Sequence, residues 1–339
     1  MRVFLTGGTG FIGKPLVQAL RRRNWQVIAL VRRPDSPEAR AIASLGVQLV
    51  HGDVTNRESM REAMRGADIV IHNAGAYEYG LTPEATRQMQ VINVDGTRNV
   101  LDLALELGVA KIVHVSTIVA AGRTDQQIVD ESFERRYPAS TTYEATKADA
   151  HQIALEYQRQ GAPISIASPA GVVGPGDHSS LGYLARMYVR GYGLPLMPTG
   201  RRATVHVDDC AEAIALTAEK GKTGENYILS GGVMSYREMF ETWKAAPGGP
   251  KFMLYLPRMI GEIGCGPMEP LQRLLRLPNV LSREVFTVGS VNWCYSGAKA
   301  ERELGVHFRD ARQAWLDTLE GERQQAQAGK SWRNLESSV

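Results

Sequence analysis

Tyr143 and Lys147 stand four residues apart in the run Tyr143-Glu144-Ala145-Thr146-Lys147. On a helix that spacing puts both side chains on one face. A free phenol has a pKa of about 10 and is a poor acid or base near neutrality. A neighbouring ammonium favours the phenolate, so the pair can pass a proton to or from a substrate oxygen.

A second constellation opens the chain. Thr6-Gly7-Gly8-Thr9-Gly10-Phe11-Ile12-Gly13 joins an apolar strand to an amphipathic helix, with Gly7, Gly10 and Gly13 spaced three apart. The first glycine permits a tight turn, the second lets a pyrophosphate approach the backbone, and the third lets helix and strand pack closely. The helix N-terminus adds unpaired N–H groups and partial positive charge. Thr9, Phe11 and Ile12 complete this dinucleotide loop. A nicotinamide would then carry hydride while Tyr143 handles the proton and Lys147 holds the ribose hydroxyls.

Arg32-Arg33 follows the second strand, with Arg32 nineteen residues past Gly13. A guanidinium there draws a 2′-phosphate, whereas an acid would serve free ribose hydroxyls. NADP(H) is therefore the preferred cofactor, with Arg32 as its main contact and Arg33 as the second. NAD(H) stays open because Asp35 is close enough to serve a ribose. After the fourth strand, small residues in Asn73-Ala74-Gly75 would let cofactor phosphate and ribose lie against the backbone. His72, before them, reads as a packed strand-end residue.

The elements that must position these groups alternate. Apolar runs over 2–6, 26–31, 47–51, 68–72, 110–116 and 164–168 read as strands, and 11–22, 84–107 and 141–160 as helices. Asn56 is a candidate cap for a helix ending near residue 66, and Asp208 or Asp209 for one running through 219. Alternating β and α means a parallel sheet covered on both faces, with ligands at the carboxyl ends of its strands. The second half is less regular: a helix over 181–190, a loop over 195–200, a strand over 205–207 and helices near 270–277, 297–304 and 310–322.

The motif TGxxGxxG at 6–13, with YxxxK at 143–147, resembles the extended branch of the short-chain dehydrogenase/reductase superfamily, and the likeness runs from residue 1 to about 320. The resemblance implies an α/β fold: a Rossmann-type doubly wound parallel sheet with a smaller, mixed C-terminal substrate-binding lobe. The dinucleotide-binding part would span 1–168 and about 204–229, the lobe about 169–203 and 230–322, and a polar tail 323–339. By the same likeness the catalytic hydroxyl, five residues before Gly122, is Thr117, which would orient the substrate oxygen toward Tyr143. Ser116 is the second hydroxyl candidate. Asp53 would meet the adenine amino group and Val54 pack on the ring. Asn93, in a stretch resembling NVxGT, would fix the helix beside the site and reach toward substrate, as would Tyr77. The run 168–177 resembles RPxxVYGPGD, so Pro169, Gly171 and Val172 would meet the nicotinamide carboxamide, although Ser168 and Val173 replace Arg and Tyr. Val205-His206-Val207-Asp208-Asp209 matches the VHVDD element of the substrate lobe.

Within the superfamily, 4,6-dehydratases resemble one another in an Asp-Glu pair after the threonine. Ile118-Val119 stands there instead. Epimerases of sugar nucleotides carry a Tyr before the closing glycine, where Ala120-Ala121 stands. The pattern is more similar to the dihydroflavonol reductase and 3β-hydroxysteroid dehydrogenase group. That implies NADP(H)-dependent interconversion of a carbonyl and an alcohol on a small, apolar or ring-bearing substrate. Residues 251–263, 271–277 and 280–291, with Met253, Leu254, Met259 and Ile263, would supply an apolar wall. The rival is an epimerase that retains NAD, with Arg186, Arg201 and Arg202 as diphosphate partners. A dinucleotide-sensing regulator without turnover is the third reading, and the presence of Tyr143, Lys147 and Thr117 weighs against it.

Composition agrees. The 339 residues are 43% hydrophobic and 22% charged, ordinary values for a globular chain long enough to bury a full core. A net charge of +3, dispersed, gives no reason to expect nucleic acid. Nothing reads as a membrane span or a signal peptide, and the three cysteines, Cys210, Cys265 and Cys294, form no CxxC. A cytoplasmic enzyme with reduced thiols, no metal site and no membrane partner is expected. The helices 84–107 and 141–160 resemble the pair that builds the family's dimer interface, which implies a homodimer.

Overall fold

Val3, Phe4 and Leu5 of the first strand and Val27, Ile28 and Ala29 of the second are fully or almost fully buried. Strands buried on both faces belong inside a helix-covered parallel sheet. The computed structural model describes residues 1–77, 82–192, 196–197, 199–247, 249, 254–255, 259–260, 263–264 and 283–328. In it β1 (Arg2–Thr6), β2 (Gln26–Val31), β3 (Gln48–His51), β4 (Ile69–His72), β5 (Lys111–Val115) and β6 (Ile164–Pro169) alternate with helices. They are α1 (Gly13–Arg22), α2 (Pro37–Ala43), α3 (Glu58–Met64), α4 (Pro83–Gln90), α5 (Gly96–Glu106), α6 (Ile118–Ala121) and α7 (Thr142–Arg159).

Next come β7 (Gly171–Val173), α8 (Ser180–Val189), β8 (Leu196–Met197), β9 (Arg201–His206), α9 (Val207–Lys220), β10 (Asn226–Leu229), β11 (Val233–Ser235), α10 (Tyr236–Lys244) and β12 (Leu254–Tyr255). The helices Arg283–Gly289, Ala298–Leu304 and Ala311–Gln327 follow.

The large sheet runs β10-β6-β5-β4-β1-β2-β3, and every pairing in it is parallel. Helices α1 and α9 cover one face around Leu16, Leu20 and Ile214. Helices α3, α5 and α7 cover the other around Met60, Leu101 and Ile153. The strand order reverses between β1 and β4, so a crevice opens at their carboxyl ends. A smaller mixed sheet, β11-β9-β7, forms the lobe. Its own core includes Tyr188, Trp243 and Trp315, with the two tryptophan rings 5.2 Å apart.

Several details differ from the sequence reading. The long helix over 84–107 is divided by a π turn at Val91–Asp95, an insertion associated with functional sites. Strand β9 has six residues, all in the lobe sheet, so the chain returns to the large sheet only at α9. The cap of α9 is His206, whose Nδ1 accepts from the Asp208 N–H at 3.3 Å. Asp209 instead takes a two-pronged ion pair from Arg309. Asn56 lies one residue before the N-cap Arg57. Residues 196–197, expected in a loop, pair with β12. The last helix continues past Glu322 to Gln327, which shortens the expected tail. The helix expected near 270–277 lies outside the described residues. No described helix is long and apolar enough to cross a membrane.

Candidate active site

The glycine turn sits where β1 meets α1. Gly7 adopts φ +71°, and a Cβ on it would lie 2.7 Å from the Asn73 carbonyl and the Ala74 nitrogen. A Cβ on Gly13 would lie 2.1 Å from the Gly7 oxygen. Both are backbone collisions, so only glycine lets the ends of β1 and β4 and the start of α1 come this close. Asn73 Nδ2 donates to the Gly7 carbonyl at 3.1 Å, and the Ala74 N–H donates to Thr6 Oγ1 at 3.1 Å. No side chain caps α1, whose N-cap is Ile12. In the first turn the Lys14 N–H goes to the Gly10 carbonyl at 3.2 Å and Pro15 has none, so an anion at this helix start would meet the backbone between Phe11 and Gly13. Gly10 is exposed and Thr9, Phe11 and Ile12 are half-buried around it. This cradle fits a dinucleotide pyrophosphate.

Thr141 starts α7 by accepting from the Glu144 N–H at 3.1 Å, and Glu144 is held by Ser140 and Arg135. That start fixes the helix carrying Tyr143 and Lys147. Lys147 is buried, with Nζ 3.4 Å from the Val115 carbonyl and 3.8 Å from the Cβ position of Gly75. Its ammonium thus lies between the end of β5 and the segment after β4. Burial lowers its pKa to about 8.

Tyr143 is the meeting point. Burial raises its pKa, and the nearby Tyr77, whose ring meets it edge-on at 4.8 Å, adds to the rise. A hydrogen bond with the Thr117 hydroxyl and the field of Arg202 oppose it. The field of Arg202 thus favours the phenolate, and Lys147 lies beside Gly75. Thr117 Oγ1 also lies 3.4 Å from the Pro169 carbonyl, which ties the site to the β6–β7 turn. Gly171 and Val172 carry that turn into the lobe by pairing with Thr204 and Val205.

Other candidates are held by partners of their own. The Ser116 hydroxyl is buried against His151 Nδ1 at 2.9 Å. Asn93, on the π turn, accepts from the Ala76 N–H at 2.7 Å and donates to Ala76 and Thr146 at 3.0 Å. It pins the segment leading to Tyr77 and spends its amide there. His72 lies between Thr6 and Thr97, at 2.9 and 3.1 Å, and burial lowers its pKa to about 3. It is the packed residue expected. Asp53 Oδ1 accepts from the Thr55 N–H and hydroxyl at 2.8 and 2.9 Å. Val54 is buried and packs against Gly96. Arg32 and Arg33 are exposed just past β2.

Sequence reasoning missed Thr146 and His151. Their signal was available in one respect: each lies on α7 at helical spacing from Tyr143 or Lys147. Their partners come from distant parts of the chain. Of the expected apolar wall, Met259 and Ile263 are exposed, Phe286 and Val288 are buried, and most of 251–282 lies outside the described residues. Among the described residues no His, Cys, Asp and Glu cluster could hold a metal.

Known proteins place this geometry. Residues 3–230 match the model of the NAD dependent epimerase/dehydratase family. A 4-hydroxy-2-methyl-3-oxo-4-farnesyl-3,4-dihydroquinoline-1-oxide ketoreductase of Stigmatella aurantiaca is 32% identical, covering 97% of this chain and 98% of its own. A putative dihydroflavonol 4-reductase of Synechocystis is 29% identical, covering 93% of each chain. The crystal structure of gox2253 superposes with a TM-score of 0.77 at 29% identity, covering 95% of this chain and 98% of its own. The glycine cradle, the Tyr143–Lys147 helix and these likenesses agree that the chain belongs to the NAD dependent epimerase/dehydratase family, as an NAD(P)-dependent enzyme of the extended short-chain dehydrogenase/reductase type.

Proposed function

We propose that the enzyme reduces the ketone of a small apolar or ring-bearing molecule with NADPH. The observation that carries this reading is the convergence of Thr117 on Tyr143 at the crevice mouth, with Lys147 beside Gly75. The position after Thr117 offers no acid–base pair for water elimination: Ile118 is buried in the core and Val119 packs against it.

NADPH, when bound, supplies the hydride that the carbonyl carbon receives. Tyr143 gives its hydroxyl proton to the carbonyl oxygen, which completes the alcohol. The Thr117 hydroxyl hydrogen-bonds that oxygen and aims it at Tyr143. Lys147 holds the ribose side, and the uncapped start of α1 holds the pyrophosphate. Arg32, with Arg33, pairs with the 2′-phosphate. Cys210 and Cys294 are buried free thiols, in keeping with a cytoplasmic setting. A homodimer built through α5 and α7 completes the proposal.

The test is to denature the purified protein, identify any released nucleotide, and offer apolar ketones with NADPH or NADH. Loosely held nucleotide and NADPH-dependent alcohol formation are expected. Tightly retained NAD, with turnover of sugar nucleotides and none of ketones, would establish the epimerase instead.

A further inference from the structure

Thr117 and Tyr143 stand at the starts of two separate helices. Thr117 caps the four-residue α6, accepting from the Val119 N–H at 3.3 Å, and Tyr143 is the second residue of α7. Helix α7 has holds of its own: the Thr141 cap at 3.1 Å and the Asn93–Thr146 hydrogen bond at 3.0 Å. A helix as short as α6 depends on tertiary contacts for its place. Its distance from α7 therefore needs a tie.

Arg135, on the segment between the two helices, supplies one. Its Nη1 donates to the Ala120 carbonyl of α6 at 3.0 Å, and its Nη2 donates to Glu144 Oε1 in the first turn of α7. Its Nε donates to the Tyr137 carbonyl at 3.0 Å. The Glu144 carboxylate is buried, and its other oxygen accepts from the Ser140 N–H and hydroxyl, both at 2.8 Å. Gly122 ends α6 at φ +101°, and a Cβ there would stand 2.9 Å from Arg135 Cγ. Glycine thus lets the arginine stem lie across the end of α6. One planar cation joins the helix capped by Thr117 to the helix carrying Tyr143.

We infer that Arg135 is a positioning residue that sets the Thr117 hydroxyl against Tyr143 for proton delivery to the carbonyl oxygen. The inference rests on the ketone-reductase reading, in which both hydroxyls meet that oxygen. The role needs the fork of a guanidinium, whose N–H groups lie in one fixed plane and reach the α6 carbonyl and the carboxylate together. An ammonium on a flexible stem would answer the charge of Glu144 without fixing the carbonyl beside it. Leaving Glu144 buried and unpaired would also destabilise the fold, so the two roles of Arg135 must be separated in the test. The dinucleotide cradle, tied through Asn73 to Gly7 and Ala74 to Thr6, uses none of these bonds.

The experiment is a double-mutant cycle on the apolar ketone that wild type reduces fastest. Arg135→Lys is made in wild type and in Thr117→Val. The readout is the rate constant of NADPH oxidation in a single turnover, which neither product release nor unfolded protein alters. In the wild-type background the rate should fall roughly tenfold to a hundredfold, the scale of a misplacement of about 1 Å. NADPH affinity should be unchanged. In the Thr117→Val background the same change should cost far less, because the hydroxyl it positions is gone. Arg135→Met, which loses the fork and the charge, should slow wild type at least as much as Arg135→Lys. Equal losses in the two backgrounds are the mark of a merely structural role and overturn the inference. So does a wild-type rate in either Arg135 variant, or an NADPH affinity that falls in parallel with the rate. The reductase reading survives each of these results. Absence of ketone reduction in wild type removes that reading and the inference together.

Discussion

Replacing Lys147 with Met should make the cofactor-free protein more stable and inactive. The ammonium is buried and its pKa falls from the usual 10.5 to about 8, caused by burial. At 1.36 kcal/mol per decade, the charged form then costs the fold about 3 kcal/mol. Methionine fills similar volume without the charge. The lost hydrogen bond to the Val115 carbonyl, 3.4 Å long, returns about 1 kcal/mol. A net gain of about 2 kcal/mol remains. The sign with pH follows from linkage. Below about pH 8 the lysine is charged in both states and the full penalty is present. Between about 8 and 10.5 the folded state has released the proton and the unfolded chain has not, so wild-type stability rises relative to the variant. Above that window both are neutral and the charge penalty is gone. Urea midpoints of both proteins, measured from pH 7 to pH 10.5, check this. A variant less stable at pH 7, or a gap that does not narrow as pH rises, would refute the reasoning.

Three further outcomes are expected. Arg32→Ala should weaken NADPH binding by roughly tenfold to a hundredfold and leave NADH binding unchanged, as read by titration of stripped protein. Gly13→Ala forces a Cβ to 2.1 Å from the Gly7 oxygen, so dinucleotide affinity should fall and the melting temperature should drop. His151→Leu strands the buried Ser116 hydroxyl now held at 2.9 Å and should cost about 1–3 kcal/mol by denaturant unfolding, whereas His151→Asn should recover part of it.

The doubly wound sheet was legible because its strands are short apolar runs separated by glycine turns and amphipathic helices. The cradle was legible because Gly7, Gly10 and Gly13 lie within one short stretch of chain and their spacing of three encodes the turn. Local patterns ended there. The partner of Ser116 lies 35 residues away on α7, and Asn93 meets Thr146 across 53 residues. Neither pairing has a sequence period. The same limit applied to the charge beside Tyr143. Spacing on one helix suggested Lys147, but the direction in which each long side chain extends is set by the β4 end and by the lobe. The structure turns Lys147 to Gly75 and lays Arg202 against Gly171. The π turn escaped too, since its helical pattern is continuous through Val91–Asp95. His206 was read as part of a motif, not as a cap, because its role depends on where β9 ends.

The central claim is that Tyr143 protonates a ketone oxygen while NADPH is consumed. The most direct measurement mixes the best ketone of the panel with NADPH and quantifies alcohol and NADP⁺ together, for wild type and Tyr143→Phe. Equimolar alcohol and NADP⁺ are predicted for wild type. The variant should bind NADPH as wild type does and turn over roughly a hundredfold to ten-thousandfold more slowly. Equal turnover in the variant, or NADPH left unconsumed while a sugar nucleotide is epimerised, would contradict the account.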